Sequence, residues 1–115
     1  FKAGVSIAPV TDWRYYDSIY TERYMRTPNE NTDGYKYGSP ITHAANLQGS
    51  LLIVSGTADD NVHLRNASEY SEALVQADKQ FDMHIYTNRN HGIRGGNTTK
   101  HLLTRVTDFF LEHLK

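Results

Sequence analysis

The feature that most constrains the fold is an alternation of strand-like and helix-like segments in the second half of the chain. An apolar run at residues 51–54 lies within a predicted strand over residues 50–55. An amphipathic helix pattern follows over residues 63–77, and residues 81–87 then alternate between apolar and polar side chains as a strand does. Two strands joined by a crossover helix favour a parallel sheet. We therefore predict an α/β fold with parallel strands and crossover helices.

The segments on either side of this unit extend the same order. Residues 3–8 read as a short buried strand that ends at Pro9, and residues 98–115 as a terminal amphipathic helix. The stretch between the first two strands is predicted to be helical in the second half of residues 12–26, a polar loop over residues 26–38, and a short helix over residues 41–46 that begins at Ser39-Pro40. The predicted order is β, α, α, β, α, β, α.

Composition limits the chain to one domain at most and excludes several functional classes. The 115 residues carry a net charge of −1, which gives no reason to expect a nucleic-acid partner. There is no apolar run long enough to span a membrane, and no cysteine to form a disulfide or a thiolate metal site. The histidines are spread along the chain without a carboxylate cluster, so we expect no metal and no cofactor.

Two polar loops carry the residues that most suggest chemistry. One follows the strand of residues 50–55 and contains Asp59 and Asp60; the other follows the next strand and contains His91, 32 residues after Asp59. Loops that leave the carboxyl ends of parallel strands meet at one edge of the sheet. A carboxylate and a histidine there can supply the acid and base of a serine hydrolase triad. Spacing does not choose between the two aspartates, and it also allows them to be helix caps and His91 a turn residue.

The serine of such a triad has no convincing candidate in this chain. In α/β-hydrolases the order is serine, acid, histidine, so the serine should precede Asp59. Ser6 lies in Gly4-Val5-Ser6-Ile7-Ala8, a near match to a nucleophile elbow, but an elbow is a turn from strand to helix. Pro9 follows instead of a helix start, so we place Ser6 inside a strand and expect the nucleophile upstream of Phe1.

Three motifs together resemble the prolyl oligopeptidase family of serine peptidases. They are the tyrosine-rich stretch of residues 8–25 (APVTDWRYYDSIYTERYM), the turn of residues 56–63 (GTADDNVH), and His91-Gly92-Ile93. The two long motifs are most similar to the dipeptidyl peptidases of that family, and the likeness runs almost from Phe1 to Lys115. The resemblance implies that residues 1–115 are the C-terminal portion of an α/β-hydrolase domain, without its nucleophile elbow or the propeller domain.

The resemblance also implies a role for each matching residue. Asp59 matches the triad acid and His91 the general base, which leaves Asp60 to cap the helix that starts near His63 or to brace the loop. Asn61 matches a residue that binds the substrate backbone near its amino end. Five residues match the walls of a pocket for proline at the second substrate position: Val10, Trp13, Tyr16, Tyr20 and Val62. A flat, apolar proline ring suits aromatic walls, although helical spacing alone would make these aromatics core residues.

The implied activity is that of a serine exopeptidase that releases X-Pro or X-Ala dipeptides from peptide amino ends through an acyl-enzyme. The implied partners are peptides with penultimate Pro or Ala, and a second copy of the chain, because the last helix contributes to a homodimer interface in family members. The isolated chain is expected to be inactive. The lack of cysteine differs from the eukaryotic members and favours a bacterial source, with a periplasmic or otherwise extracytoplasmic location.

Two alternative interpretations stay open at this point. A sibling enzyme, either a prolyl tripeptidyl or an acylaminoacyl peptidase, shares the Asp and His pattern but lacks the tyrosine-rich motif. A catalytically dead homologue that serves as a binding protein would keep the fold. Retention of Asp59, Asn61 and His91 argues against it, but the missing serine does not exclude it. A separate pattern, Asn66-Ala67-Ser68, matches a glycosylation sequon, a triplet that often arises by chance.

Overall fold

A computed structural model describes all 115 residues and contains a three-stranded parallel sheet. The strands are β1 (Ala3–Ile7), β2 (Ser50–Gly56) and β3 (Asp82–Tyr86), and β2 lies between the other two. Ala3 is in register with Ser50, and Leu52 with Asp82. The predicted α/β class with parallel strands is confirmed.

The central strand β2 is buried on both faces, and its side chains divide the core into two layers. Leu52 and Val54 pack on one face with residues that include Tyr86, Ile93, Leu102 and Phe109. Leu51 and Ile53 pack on the other face with Ala44, Ala67 and Leu74. Alternate residues of a strand point to opposite faces, so a strand with helices on both sides must be apolar throughout. The run at residues 51–54 meets this requirement.

Four α-helices accompany the sheet: α1 (Ser18–Met25), α2 (Thr32–Tyr37), α3 (Arg65–Gln76) and α4 (Thr98–His113). Two 3₁₀ helices, Trp13–Tyr15 and Pro40–Asn46, lie in the connection between β1 and β2. The helices α3 and α4 each end close to the predicted bounds. Ser6 lies within β1, as predicted, and is in register with Ile53. No helix combines the length and the apolar character needed to cross a membrane.

The prediction of a continuous polar loop over residues 26–38 is wrong, because it contains α2. The side chain of Asn31 caps this helix by accepting a hydrogen bond from the Gly34 N–H at 3.1 Å. Tyr35 is buried, and its hydroxyl donates to the carbonyl of Arg26 at 2.6 Å. Asn and Gly are typical turn residues, and they account for the predicted loop. In the structure the Asn serves as a helix cap and one buried tyrosine anchors the helix.

The start of the short helix after Ser39 is also built differently from the prediction. Ser39 occupies the N-cap position of the Pro40–Asn46 helix, but its side chain makes no capping bond. Its fully buried hydroxyl oxygen instead accepts a hydrogen bond from the backbone N–H of Trp13 at 3.0 Å. The Ser39 side chain therefore bonds to Trp13, in the segment that follows β1, and not to the backbone of its own helix.

Candidate active site

The acid and the histidine predicted from the two loops lie in hydrogen-bond contact. His91 Nδ1 is 3.0 Å from Asp59 Oδ2. The side chain of Asp59 is fully buried, whereas that of His91 is 45% exposed. The second carboxylate oxygen, Oδ1, accepts hydrogen bonds from the backbone N–H groups of Asn61 at 2.9 Å and Val62 at 2.8 Å. The carboxylate is thus fixed on one side by its own turn and faces the imidazole on the other.

The two loops that carry this pair are joined to each other through the backbone. The N–H of Thr57 donates to the carbonyl of Tyr86 and that of Ala58 to the carbonyl of Arg89, both at 3.0 Å. Gly56 makes this approach possible, since a Cβ there would clash with the Arg89 carbonyl oxygen and lie 2.8 Å from its carbon. A glycine is therefore required at the end of β2 for the histidine loop to pack against it.

The histidine loop is also anchored beneath His91. Ile93 is 1% exposed and belongs to the core layer on the α4 side, although its backbone has a positive φ of 48°. A β-branched residue with positive φ is strained, so burial of its side chain must compensate. The Nε of Arg89 adds a hydrogen bond to Thr98 Oγ1 at 3.0 Å, which ties the loop to the start of α4.

Asp60, the neighbour of the acid, takes no part in the pair. Its side chain is exposed, and it does not cap α3, which begins after Leu64 without a side-chain capping bond. The prediction that Asp60 caps this helix is therefore wrong, and the turn is braced by Asp59. Adjacent side chains in a turn point in different directions, and here only the first carboxylate points inward.

The predicted pocket aromatics form a series of ring contacts along the segment after β1. The ring centroids of Trp13 and Tyr16 are 6.2 Å apart, those of Tyr16 and Tyr20 are 5.5 Å apart, and those of Tyr20 and Tyr24 are 5.2 Å apart. We call residues 10–24 the aromatic arm. The helix α1 buries only Thr21, and Tyr20 is 49% exposed. These tyrosines are therefore not core residues of this chain.

The base of the aromatic arm is held by polar contacts. The Trp13 indole N–H donates to the Gly38 carbonyl at 3.0 Å. Asp12 is buried and bound by Arg14 through Nε at 3.0 Å and Nη2 at 2.7 Å. Burial on its own would raise the pKa of Asp12, but the hydrogen bonds and charge of Arg14, with a further contribution from Arg65, hold that pKa below its usual value.

One contact joins the aromatic arm directly to the acid turn. The Tyr16 hydroxyl donates to Asn61 Oδ1 at 2.8 Å. Val62 is buried in the acid turn, and Val10 is half-buried at the start of the arm. A depression of about 670 Å³ lies beside Tyr16 and Asn61, and another of about 680 Å³ beside Asn61 and His91. The predicted site residues thus come from three loops at the carboxyl edge of one sheet.

Sequence reasoning missed two structural requirements of this site, the close approach at Gly56 and a buried contact between Thr11 and Asn66. The Asn66 sequon is not available for modification in this fold, because Asn66 is only 1% exposed. Gly56 lies in the quoted turn motif and gave a signal, whereas Thr11 and Asn66 are 55 residues apart and gave none. No set of three or more His, Asp or Glu side chains is arranged to hold a metal ion.

A parallel sheet with an Asp–His pair at its carboxyl edge is the arrangement found in α/β-hydrolases. Residues 1–115 match the sequence profile of the prolyl oligopeptidase family over their whole length, so the chain belongs to that family. The predicted α/β-hydrolase fold and the resemblance to this family are both confirmed. The family is one of serine peptidases.

Three known proteins are similar to almost the whole of this chain, and the chain matches only a small part of each of them. The crystal structure of dipeptidyl peptidase 4 from Porphyromonas gingivalis matches 98% of this chain with a TM-score of 0.97 and 60% identity, and the match covers 16% of that structure. A putative dipeptidyl aminopeptidase IV from Bacteroides ovatus matches with a TM-score of 0.94 and 36% identity over the same shares of both chains. Dipeptidyl peptidase 4 from Felis catus is 45% identical over 112 residues, which are 95% of this chain and 15% of that protein. The chain thus spans about a sixth of the length of these relatives.

Proposed function

We propose that this chain is the C-terminal portion of the catalytic domain of a serine dipeptidyl peptidase that releases X-Pro and X-Ala dipeptides from peptide amino ends. The observation that carries the proposal is the contact between a buried Asp59 carboxylate and His91 Nδ1. It is supported by membership of the prolyl oligopeptidase family and by the similarity to dipeptidyl peptidases.

In this proposal His91 is the general base and Asp59 the acid that orients it. With Nδ1 donating to Asp59 Oδ2, the neutral imidazole has its lone pair on Nε2, where it can accept the proton of a serine hydroxyl. The carboxylate then stabilises the imidazolium, which returns the proton to the leaving amine. Two backbone N–H groups already bind the other oxygen of Asp59, so the carboxylate keeps its orientation through both proton transfers.

The serine itself is proposed to come from a segment that precedes Phe1 in a longer protein. His91 has one side-chain partner in this chain, Asp59, and no serine hydroxyl bonds to it. The only serine in an elbow-like sequence, Ser6, lies inside β1. The isolated chain is therefore expected to hydrolyse no X-Pro substrate. Turnover of a Gly-Pro anilide by the purified 115-residue chain, abolished by Ser6→Ala, would contradict this.

The substrate proline is proposed to lie against the aromatic arm. Trp13, Tyr16 and Tyr20 offer ring faces and edges in contact with one another, and Val10 and Val62 supply aliphatic walls at the base of the arm and in the acid turn. Asn61 is proposed to bind the substrate backbone. Its Oδ1 accepts from the Tyr16 hydroxyl, so its Nδ2 group is left to donate to a substrate carbonyl oxygen.

Two properties of the parent protein belong to the same proposal. One is a homodimer formed in part by α4, where Leu103 and Leu111 are exposed, as is Leu114 directly after the helix; light scattering of the full-length protein should give twice the monomer mass. The other is an extracytoplasmic location in a bacterium, suggested by the resemblance and by the similarity to proteins of two bacterial species. Cell fractionation tests the second property.

The experiment that tests the proposed activity is a substrate panel on the full-length protein. Gly-Pro and Gly-Ala anilides, a tripeptidyl anilide ending in proline, and an acetylated alanine anilide distinguish the alternatives. Release from Gly-Pro and Gly-Ala but not from the other two supports a dipeptidyl peptidase. A preference for the tripeptide or the acetylated substrate indicates a sibling peptidase. No turnover of any of them, with a residue other than serine at the elbow position, indicates a binding protein without activity.

A further inference from the structure

The proposed proline pocket is formed by two separate parts of the chain. Contacts between these two parts must therefore determine the distance across the pocket. The arm contributes Val10, Trp13 and Tyr16 from the segment after β1, whereas Asn61 and Val62 belong to the acid turn after β2. The Tyr16–Asn61 hydrogen bond joins the parts at the surface, where both side chains are accessible to water. An exposed hydrogen bond contributes little rigidity, since water competes for both of its partners.

A second, buried connection lies directly beneath. Thr11 and Asn66 are each 1% exposed, and two hydrogen bonds join them. The Thr11 N–H donates to Asn66 Oδ1 at 3.0 Å, and the Thr11 hydroxyl donates to the backbone carbonyl of Asn66 at 2.6 Å. Thr11 is next to Val10 and two residues before Trp13, so its position sets the base of the arm.

Asn66 also contacts the end of the acid turn. Its Nδ2 group donates to the carbonyl of His63 at 3.2 Å, and its backbone N–H donates to the same carbonyl at 3.0 Å. His63 directly follows Val62 in the chain. The single amide of Asn66 therefore binds the base of the arm through its oxygen and the end of the acid turn through its nitrogen. Only a side chain with both a donor and an acceptor at this position can bind both groups at once.

We infer that Thr11 and Asn66 form a strut that sets the width of the proline pocket, and that they are positioning residues for substrate specificity. The inference rests on the proposed function. The strut does not touch Asp59 or His91, whose contact is fixed by backbone bonds in their own loops. Loosening the strut should thus change how well proline is held without changing the chemical step.

The matched variants are Thr11→Val and Thr11→Ser in the full-length protein. Valine has the shape of threonine but no hydroxyl, so it removes the Thr11 hydrogen bond to the Asn66 carbonyl, whereas serine keeps the hydroxyl. Thr11→Val is expected to raise KM for Gly-Pro anilide about three- to tenfold, the range for one buried hydrogen bond, with kcat nearly unchanged. The ratio of kcat/KM for Gly-Pro over Gly-Ala should fall, and Thr11→Ser should restore it.

Thr32→Val is the control for loss of a threonine hydroxyl that donates to a backbone carbonyl. The Thr32 hydroxyl donates to the Pro28 carbonyl at 3.2 Å, outside the aromatic arm and the acid turn, so its replacement should leave KM and the Pro/Ala ratio at parental values. Asn66→Asp keeps an oxygen for the Thr11 N–H but removes the side-chain donor to the His63 carbonyl, which keeps only the backbone N–H of Asn66. This variant should lower the Pro/Ala ratio as Thr11→Val does.

The outcomes separate this inference from the proposed function. If the parental protein cleaves neither Gly-Pro nor Gly-Ala, the proposed function fails and the strut inference falls with it. If the parental protein prefers Gly-Pro but Thr11→Val and Asn66→Asp keep its KM and Pro/Ala ratio, the function stands and the strut inference is wrong. A loss of kcat that is equal for both substrates, in parallel with a lower melting temperature, would also overturn it, because that is the result of a purely structural role.

Discussion

The two halves of the candidate site are held in opposite ways. The Asp59–His91 pair sits on loops that are joined by backbone hydrogen bonds and anchored by the buried side chain of Ile93. The aromatic arm projects from the sheet, with Tyr20 about half exposed and Tyr24 69% exposed, and its rings contact mainly each other. A histidine that must take up and return a proton at Nε2, in the orientation that its carboxylate partner fixes, needs the first kind of support, since small displacements are costly.

This difference indicates that the Asp59–His91 pair and the aromatic arm have separate structural supports and can be altered independently. The chemical groups depend on the core of the sheet, so substitutions in the arm should change substrate affinity while leaving the pair intact. The arm in turn depends on a few polar contacts at its base. The predictions below test each side of this division, beginning with the largest effect.

The pair should account for most of the rate. In the full-length protein His91→Gln is expected to lower kcat by about 10⁶-fold, the loss seen when the base of a serine triad is removed from a unit that acts together. Folding should be retained, because His91 is half exposed and contributes no core packing. His43→Gln, an exposed histidine bound to the Tyr37 carbonyl, is the control and should keep parental kcat. A His91→Gln enzyme with even a tenth of parental kcat would show that another base operates.

The close approach of the loops that carry Asp59 and His91 should not tolerate an added methyl group. Gly56→Ala places a Cβ against the backbone of Arg89, and overpacking against backbone costs about 1–3 kcal/mol of stability. It should also displace His91 and lower kcat. Gly92→Ala, whose Cβ would meet only side-chain atoms at 3.6 Å or more, is the matched control. Equal melting temperatures for the two variants would show that the loops can separate without cost.

The arm should affect specificity rather than the chemical step. Tyr16→Ala or Tyr20→Ala should lower kcat/KM for Gly-Pro anilide by about 1–3 kcal/mol, or roughly 10- to 200-fold, as loss of an apolar pocket wall does. Tyr37→Ala removes an exposed tyrosine outside the series of ring contacts and should have little effect. Parental kcat/KM in both arm variants would mean that these tyrosines have only a structural role.

A smaller effect, on the pH dependence of stability, is expected from His84 of β3, which packs near His101 of α4. His84 stacks near Tyr86 and His101, at ring distances of 4.5 Å and 5.2 Å. Burial, together with the charges of His101 and Arg105, lowers the pKa of His84. The folded state then binds fewer protons than the unfolded state just below the ordinary histidine pKa of about 6.5, so stability should decrease as the pH falls through this value. His84→Gln should reduce this decrease in melting temperature; an unchanged pH dependence would contradict the assignment.

The sequence predicts the sheet with its Asp–His pair better than it predicts the contacts that hold the aromatic arm. The parallel strands, and a carboxylate and a histidine in loops at one edge of the sheet, follow from the apolar run of β2 and from the ends of the strands, because such features are local in the sequence. The choice of Asp59 over Asp60 came only from the family resemblance. The helix α2 was missed, since Asn31 and Gly34 look like turn residues until Tyr35 is seen to be buried. The contact between Thr11 and Asn66 could not be predicted from the sequence, because it joins residues from distant segments and neither residue has a local pattern that indicates its partner.

The central claim is that Asp59, and not its neighbour, is the acid of the catalytic pair. It is tested most directly by kcat of Asp59→Asn and Asp60→Asn in the full-length protein, measured beside their melting temperatures. We predict that Asp59→Asn lowers kcat by about 10⁴-fold while the protein stays folded, because asparagine favours the wrong tautomer of His91. Asp60→Asn should keep kcat near the parental value and change stability by less than about 1 kcal/mol, as expected for an exposed side chain. An active Asp59→Asn enzyme beside an inactive Asp60→Asn enzyme would contradict the account.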